Sequence, residues 1–326
     1  MNRSISRYWR RLLVIILLSL TGCVTAPIPA PMETPRYYQP VQNGQLLNRL
    51  APALWVEKYQ IDYNRPGAVR AISPDHITID PDTPVMYAEE RHFSTAKGNY
   101  TNLLYRVHFK KIPSEWSPYY IGAGKNVGLF MILTLDAAGE PLLLTTVHTC
   151  GCYLAFIPTS NLPPEDLPKG WNSAERQTVY GENLPSKLNY SGASPEQGRI
   201  QVRLRPDTHR VMDVWLGPTG ATAEDTVSIA LRPLDELKHL PLKDGGTTSF
   251  YVSSGSRAGH VKGSFKSRER LWMSWWSFAW TIGQDKYLGE NKKDGPVFFT
   301  SLKPWARDAS DLRDFAGFLR YWGWNL

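Results

Sequence analysis

Runs of apolar residues in the middle of the chain predict β-strands. Leu103–Lys110 alternates between two faces, which is typical of a strand. Gly128–Leu135 and Pro141–Thr149 are almost continuously apolar, and a five-residue connection with Gly139 joins them. This pattern predicts a hairpin that is buried on both faces. Further strands, the first two forming a second hairpin, are predicted at Arg199–Arg205, Arg210–Leu216, Val227–Leu231 and Ser249–Ser253.

Helical patterns occur near the two ends of the chain. Gln45–Leu54 predicts a short helix, Ser267–Ile282 a longer one, and Ser310–Trp322 a last one with apolar residues at helical spacing. We therefore expect one α+β body over residues 44–326, strand-rich at 100–255 and helical at 265–326. Its core would be a mainly antiparallel sheet or a sandwich, followed by two Trp-rich C-terminal helices.

The N-terminus has a different pattern. A basic patch that includes Arg10 and Arg11 precedes an apolar run from Leu12 to Leu20, which is too short to span a bilayer. The run ends in Leu20-Thr21-Gly22-Cys23, which resembles the signal peptide and lipobox of bacterial lipoproteins. The resemblance implies that residues 1–22 are cleaved and that the Cys23 thiol and amine are acylated.

This resemblance changes the expected net charge and the expected location of the protein. Residues 1–22 contain four arginines and no acids, so cleavage lowers the formal charge from +7 to +3 and gives no reason to expect nucleic acid as a partner. Residues 23–43 are expected to be the lipid anchor and a Pro-rich spacer. Val24, rather than Asp, follows Cys23, and by resemblance this favours the outer membrane, facing the periplasm. The expected partners are the membrane, through the lipid, and an envelope protein.

The sharpest chemical motif is His148-Thr149-Cys150-Gly151-Cys152. In an extended strand, His148, Cys150 and Cys152 would share one face. An imidazole and two thiolates suit Zn²⁺ or Cu(I), and His108 or His92 is a candidate for a fourth ligand. Two alternatives remain open for the same cysteines. They form a strained, redox-active Cys150–Cys152 disulfide in an oxidising compartment, or they are reduced core residues.

Tryptophan is concentrated at the C-terminus, where seven of the twelve fall within the last 55 residues. The helix over 267–282 carries Trp272, Trp275, Trp276 and Trp280 and has almost no polar face. A helix that is apolar all round is either buried or inserted in lipid. Core is the favoured interpretation, and a membrane or partner surface and a ligand platform are the alternatives.

No complete catalytic set is visible, so a non-catalytic function is favoured. Ser253–Gly263 lacks the spacing of a serine-hydrolase nucleophile elbow and, with Lys266, predicts a solvated basic loop. The leading hypothesis is an exported, lipid-anchored envelope protein that acts as a binding module. The alternative is an envelope metal-binding or thiol-redox protein centred on His148, Cys150 and Cys152.

Overall fold

A ten-stranded sheet organises the computed structural model, which describes residues 35–190, 198–218 and 226–326. Its strands are β1 (Arg36–Pro40), β2 (Ala53–Val56), β5 (Val85–Ser94), β6 (Asn99–Ile112), β7 (Gly124–Leu135), β8 (Pro141–His148), β9 (Ala155–Pro158), β12 (Arg199–Leu204), β13 (Val211–Gly217) and β14 (Thr226–Pro233). Three two-stranded sheets pair β3 (Ala68–Ser73) with β4 (His76–Asp80), β10 (Arg176–Val179) with β11 (Glu182–Pro185), and β15 (Leu240–Pro241) with β16 (Thr247–Thr248).

The large sheet is mixed and has the order β13-β12-β2-β1-β14-β5-β6-β7-β8-β9. From β5 to β9 each strand is antiparallel to the next, whereas β1–β14, β14–β5 and β2–β12 are parallel pairs. The α+β class and both predicted hairpins, β7–β8 and β12–β13, are confirmed. The parallel pairs join strands that are distant in the sequence, so no local pattern could predict them.

The central strands are buried on both faces, as their continuous apolar runs predicted. Leu104 and Phe130 lie in one core cluster together with Phe318 near the C-terminus. Leu103 and Leu129 lie in a second cluster, together with residues of β12 and β14 from the far half of the sheet. The sheet therefore curls around the second cluster, and the C-terminal segments cover the first.

The helices are α1 (Leu46–Leu50), α2 (Ser267–Ser277) and α3 (Phe315–Tyr321), and each is shorter than predicted. α2 ends before Ile282 because Phe278 adopts a left-handed conformation with φ 51°. α3 begins later than Ser310 because Asp314 caps it, accepting a hydrogen bond from the Gly317 amide at 3.0 Å. The strand predicted at Ser249–Ser253 is wrong: it contributes only the isolated bridge between Tyr251 and Val261.

The chain enters the sheet earlier than predicted. β1 begins at Arg36, inside the predicted 23–43 segment, because Tyr37 and Tyr38 are buried in the sheet between β2 and β14. The predicted signal peptide and Cys23 lie outside the described residues. Among the residues that are described, no helix is both long and apolar enough to cross a membrane.

Candidate functional site

A tight turn follows β8 and carries both cysteines. The Gly151 amide donates to the His148 carbonyl at 2.7 Å, and the His148 amide donates to the Cys152 carbonyl at 2.9 Å. Gly151 has φ 95°, and a Cβ added there would collide with the Phe299 carbonyl, so only glycine fits. The extended geometry predicted for 148–152 is therefore wrong beyond His148, and the turn, not a strand face, sets the positions of the thiols.

The two thiols converge on a carboxylate from α2. One ligand atom each from Cys150, Cys152 and Glu269 lies within 4.8 Å of the other two, and Cys152 Sγ donates to Glu269 Oε1 at 3.1 Å. Both cysteines are free thiols, Cys150 buried and Cys152 half-buried. Glu269 is 3% exposed, and a Cβ added at Gly283 would stand 2.6 Å from its Oε2. The missing side chain at Gly283 thus makes room for this carboxylate.

The proton of the Cys152 thiol has two acceptors within reach, the Glu269 carboxylate and the Cys150 sulfur. Hydrogen bonding between the thiols lowers the pKa of Cys150 below its ordinary value and raises the pKa of Cys152. Thiolates, rather than thiols, act as nucleophiles and metal ligands, so each cysteine must lose its proton before it takes either role.

A buried ion pair lies beside this cluster. Lys266 Nζ is 3.4 Å from Asp285 Oδ2, and the two side chains are 2% and 0% exposed. Asp285 also accepts hydrogen bonds from the Ser264 hydroxyl at 2.6 Å, the Thr149 hydroxyl and the Gly128 amide at 3.3 Å. Burial alone would raise the pKa of Asp285, but Lys266 and the two hydroxyls outweigh it and hold the pKa below its ordinary value. Asp285 thus links β7, the end of β8 and the start of α2.

A second buried lysine holds the cysteine turn. Lys286 Nζ donates to the Cys150 carbonyl at 2.6 Å and lies 4.4 Å from the centroid of the Phe299 ring. Burial lowers the pKa of Lys286. Lys266, Lys286, Asp285 and Glu269 are therefore all buried near the cysteine turn.

None of the predicted histidines belongs to this cluster in the described part of the chain. His148 Nε2 is 3.2 Å from the His209 carbonyl, and burial lowers the pKa of His148 to about 3, so the ring is neutral. His108 lies in the core, where its Nε2 accepts from Arg106 Nε at 2.7 Å. His92 is exposed on β5, 3.5 Å from Glu90.

Sequence reasoning missed Glu269, Lys266 and Asp285. Glu269 is 117 residues from Cys152, and no motif spacing connects the two. Lys266 was expected in a solvated loop, and its burial corrects that prediction. Glu269 lies between Arg268 and Arg270 in the first turn of the helix, so no local signal distinguished it from a solvent-exposed charged residue.

The tryptophans of α2 and the residues after it are on the surface, so their interpretation as core is wrong. The exposed fractions include 71% for Leu271, 70% for Trp275 and 72% for Trp280. We use the name aromatic face for Leu271, Trp272, Trp275, Trp276, Phe278 and Trp280, which are all exposed. The inward side of α2 instead carries Glu269, Ser274 and Ser277. The helix was expected to have almost no polar face, but its polar residues line the inward side and its large apolar residues point to solvent.

Exposed aromatic residues of the β6–β7 connection extend this surface. The indole N–H of Trp272 donates to the Tyr119 hydroxyl at 3.0 Å, and the Tyr119 ring lies 6.4 Å from that of Trp116, which is 87% exposed. Arg268 lies over both rings, 4.2 Å from the centroid of Tyr119 and 5.6 Å from that of Trp116. Arg270 lies 5.5 Å from the centroid of the exposed Phe265 ring. Guanidinium groups therefore border the aromatic face.

No protein-family model matches the chain, and no significant similarity to a curated protein or to a solved structure was found.

Proposed function

We propose that this protein is an exported, lipid-anchored envelope protein that binds the surface of the membrane holding its N-terminal lipid. Binding uses the aromatic face. The observation that carries the proposal is the orientation of α2, whose polar residues Glu269, Ser274 and Ser277 point inward while its apolar residues point to water. A contiguous exposed apolar patch marks an interaction site or a membrane contact.

The hydrogen bonds of the indole groups support a lipid surface as the binding partner of the aromatic face. Trp275 and Trp276 both donate their indole N–H to the Trp272 carbonyl, at 3.0 and 3.1 Å. Neither ring would therefore carry an unsatisfied donor into the acyl boundary, where such a donor costs free energy. Tryptophan is also enriched at membrane–water interfaces because its ring is large and amphipathic.

The positive charges at the edge of the aromatic face also support a lipid surface as its binding partner. Arg268 and Arg270 lie beside exposed aromatic rings and can contact anionic headgroups while their aliphatic stems cover apolar surface. Basic residues near an anionic surface add to apolar insertion. We therefore expect binding to increase with anionic lipid and to weaken with salt.

The proposed lipid anchor would keep the aromatic face close to the membrane. Twelve residues separate Cys23 from Arg36, where β1 begins, so even a fully extended connection is at most about 45 Å long. A tether of this length gives a weak surface contact a high effective concentration. By the resemblance to lipoproteins with a residue other than Asp after the cysteine, the expected membrane is the outer one, seen from the periplasm.

Vesicle binding by the unacylated chain that begins at Val24 tests the proposal. The protein is sedimented with vesicles that contain phosphatidylglycerol, and the emission of tryptophan is expected to shift to the blue on binding. Replacing Trp275 by Ser removes an exposed area of about 140 Å² if the free side chain offers about 200 Å². At about 25 cal/mol per Å² and with about half of that area desolvated at the interface, the loss is about 1.7 kcal/mol. The vesicle partition coefficient should then fall about 20-fold.

Ile72→Ser is the matched control, because Ile72 is 49% exposed on β3 and outside the aromatic face. It should leave vesicle binding unchanged. The absence of vesicle binding by the unaltered chain contradicts the proposal, as does binding that is equally strong after Trp275→Ser and Trp280→Ser. Concentration-dependent dimerisation that disappears with the same substitutions would assign the face to a second copy of the chain instead.

A further inference from the structure

We propose that Cys150, Cys152 and Glu269 bind one Zn²⁺ ion, with a fourth coordination position open to water. This inference is independent of membrane binding. The three ligand atoms already lie within 4.8 Å of one another, and Cys152 Sγ is 3.1 Å from Glu269 Oε1. Tetrahedral zinc with Zn–S of about 2.3 Å and Zn–O of about 2.0 Å needs ligand atoms about 3.3–3.8 Å apart. Small side-chain rotations reach that geometry.

Glu269 is the independent observation that points to a cation. It is 3% exposed, and its one hydrogen bond within the described residues comes from Cys152 Sγ. No ion pair of the described residues includes it, although Lys266 lies in the same buried region and pairs with Asp285. A buried carboxylate is normally paired with a cation or bound to a metal. A thiol is a weak donor and does not replace either.

The backbone around the ligands is restrained from three sides. Gly151 lies against the Phe299 carbonyl, Lys286 Nζ holds the Cys150 carbonyl, and Gly283 leaves space only for the Glu269 carboxylate. A site whose ligands are held in this way loses little conformational entropy when a metal binds. The half-buried Cys152 leaves the site a path to solvent, and this is where the fourth ligand, a water molecule, is expected.

The ligand set favours a divalent ion with an affinity for sulfur. When one Zn²⁺ replaces the two thiol protons, which leave to solvent, the net charge of the buried region does not change, so the site gains no uncompensated charge. Thiolate ligands disfavour Mg²⁺ and Ca²⁺, which prefer oxygen.

Metal titration of the full-length protein, reduced and purified in detergent, tests the site. We expect one equivalent of Zn²⁺ per chain in competition with a chromogenic chelator. Co²⁺ in place of zinc should show an intense sulfur-to-cobalt charge-transfer band, and bound Zn²⁺ should protect both thiols from alkylation. Oxidation to a Cys150–Cys152 disulfide removes both thiolates and must abolish binding.

Variants identify the ligands. Cys150→Ser, Cys152→Ser and Glu269→Gln should each weaken Zn²⁺ binding by at least about 100-fold, the upper end of what loss of an outer-shell partner costs. Glu290→Gln is the matched control, because Glu290 is exposed, and it should bind Zn²⁺ as the unaltered chain does. If a variant does not fold, the metal titration of the unaltered protein still tests the proposal. Folded, reduced protein without one equivalent of Zn²⁺ or without the cobalt–thiolate band overturns the proposal, as does binding that survives oxidation. Binding that survives Glu269→Gln overturns the assignment of this ligand set.

Discussion

Replacing Asp285 by Asn should destabilise the fold by about 4 kcal/mol. The substitution preserves shape but removes the negative charge that faces Lys266 Nζ at 3.4 Å. At an effective dielectric constant of about 20, two unit charges at this distance attract by about 5 kcal/mol. Loss of one partner of a buried pair typically costs about 3–5 kcal/mol, because the other charge stays buried without compensation. The Ser264 and Thr149 hydroxyls can still bond to the amide, so the loss is dominated by the ion pair.

Urea unfolding followed by far-UV circular dichroism measures this change, and in thermal unfolding the melting temperature should fall by about 6 °C. Lys266→Met provides the second side of a double-mutant cycle. The double variant should be more stable than Asp285→Asn alone, because no unpaired ammonium is left in the core. A loss below about 1 kcal/mol for Asp285→Asn, or additive single effects, would refute the assignment of a strong buried pair.

The pH dependence of this effect has a definite sign. The pKa of Asp285 is lower in the folded protein than in the unfolded chain, because Lys266 and two hydroxyls outweigh burial. Its contribution to the free energy of unfolding is therefore present above the unfolded pKa of about 4 and is lost as the pH falls through the folded value. The stability difference between the unaltered chain and Asp285→Asn should shrink below about pH 4.

Two further predictions concern the buried His209 and the glycine of the cysteine turn. Burial lowers the pKa of His209 to about 3, so between about pH 6.5 and pH 4 the unfolded chain takes up a proton that the folded protein does not. In the unaltered chain this proton uptake lowers the free energy of unfolding by about 1.4 kcal/mol for each pH unit of acidification. His209→Asn should remove this contribution, and urea titrations at several pH values measure the difference. Gly151→Ala should cost far more stability than Gly245→Ala, because both glycines have positive φ but only Gly151 lies against a neighbouring carbonyl. Equal melting temperatures for the two alanine variants would contradict this account of the cysteine turn.

The central strands were predictable because a strand that is buried on both faces has an almost continuous run of apolar residues. Gly128–Leu135 and Pro141–Thr149 correspond to most of β7 and to β8, and Gly139 in their connection has the positive φ that was expected of it. Helix ends were less predictable. Phe278 enters the left-handed region without being glycine, and Asp314 rather than Ser310 caps α3.

Two of the three members of the candidate site were visible in the sequence. His148, Cys150 and Cys152 stood out because they are close together, and the two cysteines do converge in the structure. The third member of the cluster, Glu269, comes from α2, and no spacing rule connects residues so far apart. His148 was grouped with the cysteines on the assumption of an extended strand, and the turn at Gly151 removes that geometry.

The sequence by itself determined which segments are apolar, where the central hairpin turns and that Cys150 and Cys152 are neighbours, because these properties depend on local composition and spacing. It also contains Leu20-Thr21-Gly22-Cys23, which resembles a lipobox and lies outside the described residues. Only the tertiary structure decided that α2 turns its tryptophans to solvent and that Glu269, Lys266 and Asp285 meet at the cysteine turn. The physical reason is that a hydrophobic stripe specifies a helix face but not what covers it, while a buried charge is acceptable only when distant segments bring it a partner.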